Sequence, residues 1–499
     1  MNCIHCNSHE YVKNGYYVKV DNTLIHRYKC KNCGKTWTEN ANLITTSKFS
    51  PSNNLNGEKF VITSCQNNTP TNKEFLGSLI KYCEVNDARL IVIPTFYQEV
   101  LYPALDWDID TQYIINEKFS LNDLVNVIAD IKITASAENP LGGLDTLSKG
   151  KTLIVPHNQL QMRSLPVQVN EPPVMLCTTG TISEPNYIRS KSGEKAEFNH
   201  SYSAIFLEFQ DDIFHLRVLN ADENNGFYDI NGYYTQYDTY PIVDTLALVL
   251  GDEHVIVNDS SVANATFFDA DSIVNTLKPI SLIRHDVLDC FTISHHHRKD
   301  SFIQYSKFKL GRNKIEDEMK TTLQYLKKTT PPFSKSYIVS SNHHDHLKRW
   351  LNEADPKIEP WNAKIYHELT YLMLLDIECH STLHVPNPFE LYSINRGYDF
   401  EFIGRNETFK ICDIELSNHG DKGANGSRGS MNQFAKLAEK MIIGHSHTPG
   451  INKGAYSVGT STPKDLEYVS GPSSWMNTHC VIYPNGKRQL INIINGKWK

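Results

Sequence analysis

Five short apolar runs in this chain each end in residues of metal-binding type, and that coincidence limits the folds open to it. Ile442-Ile443 leads into Gly444-His445-Ser446-His447. Ala247-Leu248-Val249-Leu250 leads into Gly251-Asp252-Glu253-His254, and Ser281-Leu282-Ile283 into Arg284-His285-Asp286. Tyr337–Ser341 runs into Asn342-His343-His344-Asp345, and Ile411–Leu416 into Ser417-Asn418-His419. Short apolar runs bounded by turn residues read as buried strands. Strand ends are where an α/β fold collects its chemistry, so five such tips can converge on a pair of metal ions. Gly444 lets the backbone turn sharply enough for His445 and His447 to face one point.

Composition sets the frame for those strands. With 499 residues the chain is long enough for two or three domains, and 40% hydrophobic with 21% charged residues is the make-up of a soluble globular protein. No apolar run approaches the roughly 18 residues of a membrane span. The N-terminus carries Cys3 and Cys6 where a signal peptide would be apolar. A cytoplasmic protein with no membrane partner is expected. Four of the eleven cysteines form two pairs, and the others sit singly in apolar contexts, which is thiol usage in a reducing compartment.

Residues 1–40 read as a zinc ribbon. Cys3-Ile-His-Cys6 and Cys30-Lys-Asn-Cys33 are two knuckles with a 23-residue insert, a four-thiolate arrangement for one structural zinc ion. So small a domain buries too little apolar surface to fold alone, so the metal would supply its folding free energy. Lys13, Lys19, Arg27, Lys29, Lys31 and Lys35 interleave with Tyr11, Tyr16, Tyr17, Tyr28 and Trp37, a pattern suited to nucleic acid. A ribbon that binds protein is the other reading. The net charge of −7 is unevenly spread, with seven Lys/Arg against three Asp/Glu in residues 1–50. A polyanion would therefore be drawn to the head of the chain and repelled by its body, although fields at a metal site outweigh that sum.

Residues 41–58 read as a linker rich in Asn, Ser, Thr and Pro. Residues 59–240 read as an N-terminal α/β domain. It begins with a βαβ unit built from Lys59–Thr63, a helical pattern over Glu74–Tyr82 and Arg89–Pro94, with Gln66, Asn67 and Asn68 in the turn after the first strand. Further strands are expected at Thr152–Val155, Val174–Cys177, Ser203–Phe209 and Phe214–Val218. His157, Arg163, His200 and His215 read as structural or surface groups.

Residues 241–499 contain the five tips. His295, His296, His297 and Arg298 form a cluster that either contacts phosphates or lies in a solvated loop. Ile315, Met319, Leu323 and Leu326 mark the buried face of a helix. Gly420–Gly429 is too rich in glycine to pack as an element. There Lys422 and Arg428 would aid close approach of the backbone to a phosphate, or the loop is simply mobile. A helix is expected over Asn432–Lys440, with Phe434, Leu437, Ala438 and Met441 on one face. Asn485-Gly486 between apolar runs signals a terminal hairpin.

In order, the five tips spell GDEH, HDVLD, SNHHD, NHGD and GHSH. This resembles the ordered signature of the calcineurin-like metallophosphoesterases, GDxH, GDxxD, GNH[DE], a lone His and GHxH. The first and last blocks match fully. His285 and Ser341 replace glycines, and His344 stands where Asp or Glu is usual. Runs such as ITSCQNNTP, SNHHDHL and HGDKGANGSRGS are similar to a tailed-bacteriophage branch of the superfamily, and RYKCKNCGKTW resembles the zinc ribbons of some bacterial transposases. The resemblance implies a sandwich of two mixed β-sheets flanked by helices and two divalent metal ions. Asp252, His254 and His447 would hold one ion, Asn342, His419 and His445 the other, with Asp286 bridging and His343 as general acid. Mixed N and O donors favour manganese, iron or zinc, and the resemblance points to manganese.

The expected function is a metal-dependent nuclease that hydrolyses DNA phosphodiester bonds, phage-encoded and acting on host DNA in the host cytoplasm. An oligomer of identical chains is compatible with the sequence. Two alternatives remain: a phosphatase or phosphodiesterase acting on a nucleotide or phosphoprotein, and a DNA-binding regulator with a vestigial metal site.

Overall fold

A computed structural model of the chain describes residues 2–3, 6–18, 24–38, 49, 55–67, 69–95, 109–129, 131–242, 244–437, 439–466 and 471–499. It is a mixed α/β protein with several sheets. The chain divides into two compact units, one of residues 1–162, 174–227 and 233–240, the other of 163–173, 228–232 and 241–499. Lys19, Asn68, Ala438 and most of the expected linker lie outside the described residues. Of that linker, Phe49 and Leu55 are buried, and the Phe49 ring packs 4.4 Å from Phe119. The segment thus carries two anchors where a plain linker was expected.

In the first unit, Tyr11–Val18, Leu24–Cys30 and Thr36–Thr38 make a three-stranded antiparallel sheet. The βαβ unit follows. Strands Lys59–Gln66 and Ala88–Thr95 pair in parallel, joined by the helix Lys73–Asn86. The Asn72 side chain accepts from Phe75 N at 3.0 Å and starts that helix; Asp87 in a left-handed conformation ends it. Its apolar face, Phe75, Leu79 and Tyr82, packs on Val61, Val92 and Phe206. Ser203–Gln210 and Ile213–Asn220 extend this sheet. Thr152–Val155 lies parallel to Val174–Thr178 and to Val125–Val127. His157 and His200 bond to backbone carbonyls at Thr134 and Ser183, as structural groups do.

The second unit is built on a six-stranded sheet. Glu401–Ile403, Lys335–Val339, Ser281–Arg284 and Ala247–Val249 run parallel in that order, and Asn477–Ile482 and Arg488–Ile493 complete it as an antiparallel hairpin. Gly486, at φ 76°, lies in the hairpin loop as Asn-Gly predicts. Helix Ile315–Lys328 places Ile315, Met319, Leu323 and Leu326 in a core with Ile338 and Trp350. A second group of strands pairs Ile414–Glu415 in parallel with Lys440–Ile443, and that strand with Ala455–Ser457.

Three expectations change here. Ile411–Leu416 is not one strand: Lys410–Ile411 turns back onto Ile414–Glu415 because Cys412 and Asp413 adopt φ of 49° and 59°. The helix expected over Asn432–Lys440 ends at Phe434. Lys440 already belongs to a strand, so Met441 reaches the core from a sheet, and Leu437 is exposed. The glycine-rich loop, expected not to pack as an element, closes as a small turn, with Gly429 N donating to Asp421 O and Gly423 N to Ser427 O.

Candidate metal centre

The tips at Asp252, Asp286 and Asn342 lie just past the carboxyl ends of three parallel strands of the six-stranded sheet, and His445 and His419 follow Lys440–Ile443 and Ile414–Glu415 of the second strand group. Their backbones are unusual. His254, Asp286, His445 and His447 have φ of 37°, 45°, 68° and 55°. Non-glycine residues rarely adopt this left-handed region, which costs roughly 1–2 kcal/mol each, and such strain persists where surrounding structure imposes it and function uses it. Two glycines open the centre. A Cβ on Gly444 would lie 2.3 Å from Asp252 Oδ1, and one on Gly251 would lie 2.9 Å from the backbone at Gly459 and Thr460.

Side chains distant in sequence meet there in two overlapping sets. Asp252, His254, Asp286 and His447 form one, and Asp286, His419 and His445 the other, each with donor atoms within 4.8 Å of one another. In the first, His447 Nε2 is 3.0 Å from Asp252 Oδ2 and 3.1 Å from His254 Nε2. In the second, His419 Nε2 is 3.0 Å from Asp286 Oδ2. Donor atoms about 2.1 Å from one ion are themselves about 3.0–3.4 Å apart, so these separations suit ligands of a metal. Asp286 belongs to both sets.

The hydrogen bonding also fits a cation. Asp286 Oδ1 and Asn342 Oδ1 are buried acceptors that receive no hydrogen bond among the described residues. A buried polar atom without a partner calls for an ion or water. Asp289 Oδ1 accepts from His254 Nδ1 at 2.7 Å, which directs His254 Nε2 at the centre. Burial would raise the Asp286 pKa, but the charges of His419 and His343 outweigh it and hold the carboxyl well below its usual range. For His254 burial pulls down, while the bond to Asp289 and the nearby carboxylates lift it to about 9. Burial lowers His445 and His447, favouring neutral imidazoles that can ligate.

His343 and His344 part company. His343 Nδ1 donates to the Asp289 carbonyl at 2.7 Å, and its Nε2 lies 3.9 Å from Asp286 Oδ2 on the wall of a cavity of about 460 Å³. His344 is buried, pushed down to about 3 by that burial, and stacks on Phe389. Its Nδ1 accepts from Ser341 N in a capping box that starts helix Asn342–Glu353. Asp289, and not His344, is thus the hydrogen-bond partner of the neighbouring His343.

No family model and no solved structure matches this chain. Protein A1 of Escherichia phage T5 is 34% identical over 466 residues, which is 89% of this chain and 83% of the relative. The chain belongs to the protein A1 family.

In this protein A1 relative, sequence reasoning passed over three residues at the centre. Asp289 sits three positions after Asp286, a spacing visible in HDVLD. His285 places Nδ1 3.4 Å from His419 Nδ1 and groups with Asp252 and His419. Trp475 packs its ring 4.1 Å from His447 and lines the cavity, and nothing local in the sequence signals it.

The expected substrate contacts divide. His296 and His297 line the cavity, whereas His295 packs on His346. Arg298 is tied to Glu353, with Nη2 donating to its carbonyl at 2.8 Å. Lys422 is exposed 3.8 Å from Asp345, and Arg428 is exposed opposite Lys422.

At the other end of this family member, Cys3, Cys6, Cys30 and Cys33 form a group that could hold a metal ion. The Sγ atoms of Cys3 and Cys33 are 3.6 Å apart, as are those of Cys6 and Cys30. Four sulfurs at about 2.3 Å from one zinc would be about 3.8 Å apart. A hydrogen bond from Cys33 N draws the Cys30 thiol down to about 6. Tyr28 and Trp37 are 6% and 1% exposed and pack on Cys3 and Cys30. These two rings form the ribbon core and cannot offer flat faces to bases, as their interleaving with lysines suggested. Tyr16 remains exposed, beside His26. Among the described residues no helix is long and apolar enough to cross a membrane.

Proposed function

We propose that this protein is a two-metal phosphodiesterase of the calcineurin-like superfamily, a nuclease hydrolysing DNA in the cytoplasm of an infected cell. One observation carries the reading: two ligand sets of Asp and His share a single carboxylate, Asp286. Asp252, His254 and His447 would hold one ion, Asn342, His419 and His445 the other, with Asp286 between them. Manganese is our assignment; iron and zinc also suit these donors. When bound, the ions supply an activated water and positive charge for the phosphate oxygens.

The chain's own groups do the rest. Asp289 fixes both imidazoles, through its carboxylate to His254 and its carbonyl to His343. With Nδ1 committed to that carbonyl, a protonated His343 can give the Nε2 proton to the leaving oxygen. Trp475 and Phe291 wall the cavity beside it. The two mixed strand groups of the second unit suit the sandwich of this superfamily, and the cysteine cluster suits one structural zinc. The relationship to a T5 phage protein agrees with a role during infection.

Incubation with plasmid, linear duplex and single-stranded DNA, in manganese and then in EDTA, tests the proposal. Cleavage that EDTA abolishes and manganese restores is expected. Hydrolysis of nucleotides or phosphopeptides without DNA cleavage would overturn the nuclease assignment in favour of a phosphatase.

A further inference from the structure

The helix Ser301–Lys309 presents an outward face at odds with ordinary packing. Phe302, Tyr305 and Phe308 are 86%, 68% and 65% exposed. Spaced three residues apart, they fall within one arc of about 120° around the helix. The opposite side is pinned: Lys307 is buried, its ammonium lying 4.4 Å from the centre of the Phe291 ring and donating to the Phe291 carbonyl at 2.5 Å. Phe291 in turn lines the cavity shared by Asp286, Asn342 and His343. The Lys307–Phe291 contact therefore ties the helix that carries the aromatic face to a residue lining the cavity of the candidate metal centre.

Its charge is equally distinctive. Residues 298–314 hold six Lys/Arg and one Asp, in a chain with 49 basic and 56 acidic residues. Lys299, Lys309, Arg312 and Lys314 are exposed, and none forms an ion pair with a described residue. Three exposed rings amid unpaired cations on an acidic protein offer stacking surfaces beside phosphate partners. Unpaired nucleobases need that combination, because a base in a duplex has no free face to stack.

Building on the nuclease reading, we infer that helix Ser301–Lys309 is a platform for single-stranded nucleic acid. Phe302, Tyr305 and Phe308 stack on unpaired bases, and Lys299, Lys309, Arg312 and Lys314 contact the backbone leading to the cavity. The preferred substrate is accordingly a single strand, or a duplex with an unpaired end.

The full-length protein is titrated with a fluorescent oligo(dT) and with a blunt duplex, with calcium replacing manganese to hold cleavage off. The variant F302L/Y305L/F308L keeps apolar bulk and removes the rings. It should bind oligo(dT) at least about 10-fold more weakly, with a smaller loss on duplex. The variant K309E/R312E should lower the slope of log Kd against log salt by about 0.7 for each lost phosphate contact. Both should turn over bis-p-nitrophenyl phosphate at the wild-type rate in manganese, since so small a diester does not reach the helix. Unchanged oligo(dT) affinity in the leucine variant overturns the platform. So does a concentration-dependent dimer, or binding to phosphatidylserine vesicles, that the alanine variant F302A/Y305A/F308A abolishes while oligo(dT) affinity stays at the wild-type level. A wild-type protein that hydrolyses no phosphodiester refutes the catalytic reading instead, and leaves the binding comparison to decide the platform.

Discussion

Replacing His343 and His344 separately by alanine probes the chemistry most directly, because adjacent imidazoles have opposite surroundings. His343 reaches the cavity wall with Nδ1 held by the Asp289 carbonyl, while His344 is sealed against Phe389 and completes the capping box of a helix. Loss of a general acid costs ~10²–10⁴-fold in rate, equivalent to about 2.7–5.4 kcal/mol of barrier. H343A should lose that much on DNA, whose leaving alkoxide needs a proton. It should lose far less on thymidine 5′-p-nitrophenyl phosphate, whose phenolate leaves unaided. Metal content and DNA affinity should hold, since His343 is outside both ligand sets sharing Asp286. H344A removes one hydrogen bond of the capping box, about 1 kcal/mol, and a buried ring, roughly 2–4 kcal/mol together. That predicts a melting temperature lower by about 4–16 °C, with DNA and the nitrophenyl ester affected alike. The assays are steady-state rates on both substrates, metal analysis and thermal melting. A leaving-group-dependent loss in H344A but not in H343A would refute the assignment.

Asp286→Ala should abolish DNA hydrolysis and remove at least one bound ion, because the shared carboxylate links both ligand sets; full activity with two ions by elemental analysis would sink the shared-ligand arrangement. Cys30→Ala should cost one zinc and unfold the ribbon while leaving turnover of bis-p-nitrophenyl phosphate intact, and loss of that turnover would show that the ribbon supports the catalytic unit. Glu318 is fully buried, and that burial lifts its carboxyl from 4.5 to about 7. The folded state then holds a proton that the unfolded chain has released, so this stabilisation is complete below pH 4.5 and is lost as pH rises through about 7. At about 1.4 kcal/mol per pH unit the change is roughly 3 kcal/mol. The wild type should lose that much stability relative to Glu318→Gln between those pH values in denaturant titrations, and parallel curves for the two proteins would contradict it.

The local grammar of this chain was readable from its sequence. Apolar runs closed by turn residues became strands at Ala247–Val249, Ser281–Arg284 and Lys440–Ile443, and a 3.6-residue period became the buried face of Ile315–Lys328. Paired cysteines and Asn-Gly likewise carried their meaning in a few neighbouring residues. Where such a pattern had a competitor, tertiary structure decided. Cys412-Asp413 folded back on itself, and the chain after Phe434 was needed as strand by the sheet it joins. Tyr28 and Trp37 read as stacking rings beside lysines, yet among the described residues they pack with Cys3 and Cys30 as the buried core of the ribbon. The centre itself depended most on the fold. His254 meets His447 across 193 residues and His343 meets Asp289 across 54. The sequence could nominate His254 and His447, but their side-chain directions follow from left-handed backbones that only the surrounding packing enforces. Trp475 and the exposed face of Ser301–Lys309 had no local signature, because what a side chain touches, or fails to touch, is decided by elements far away in the chain.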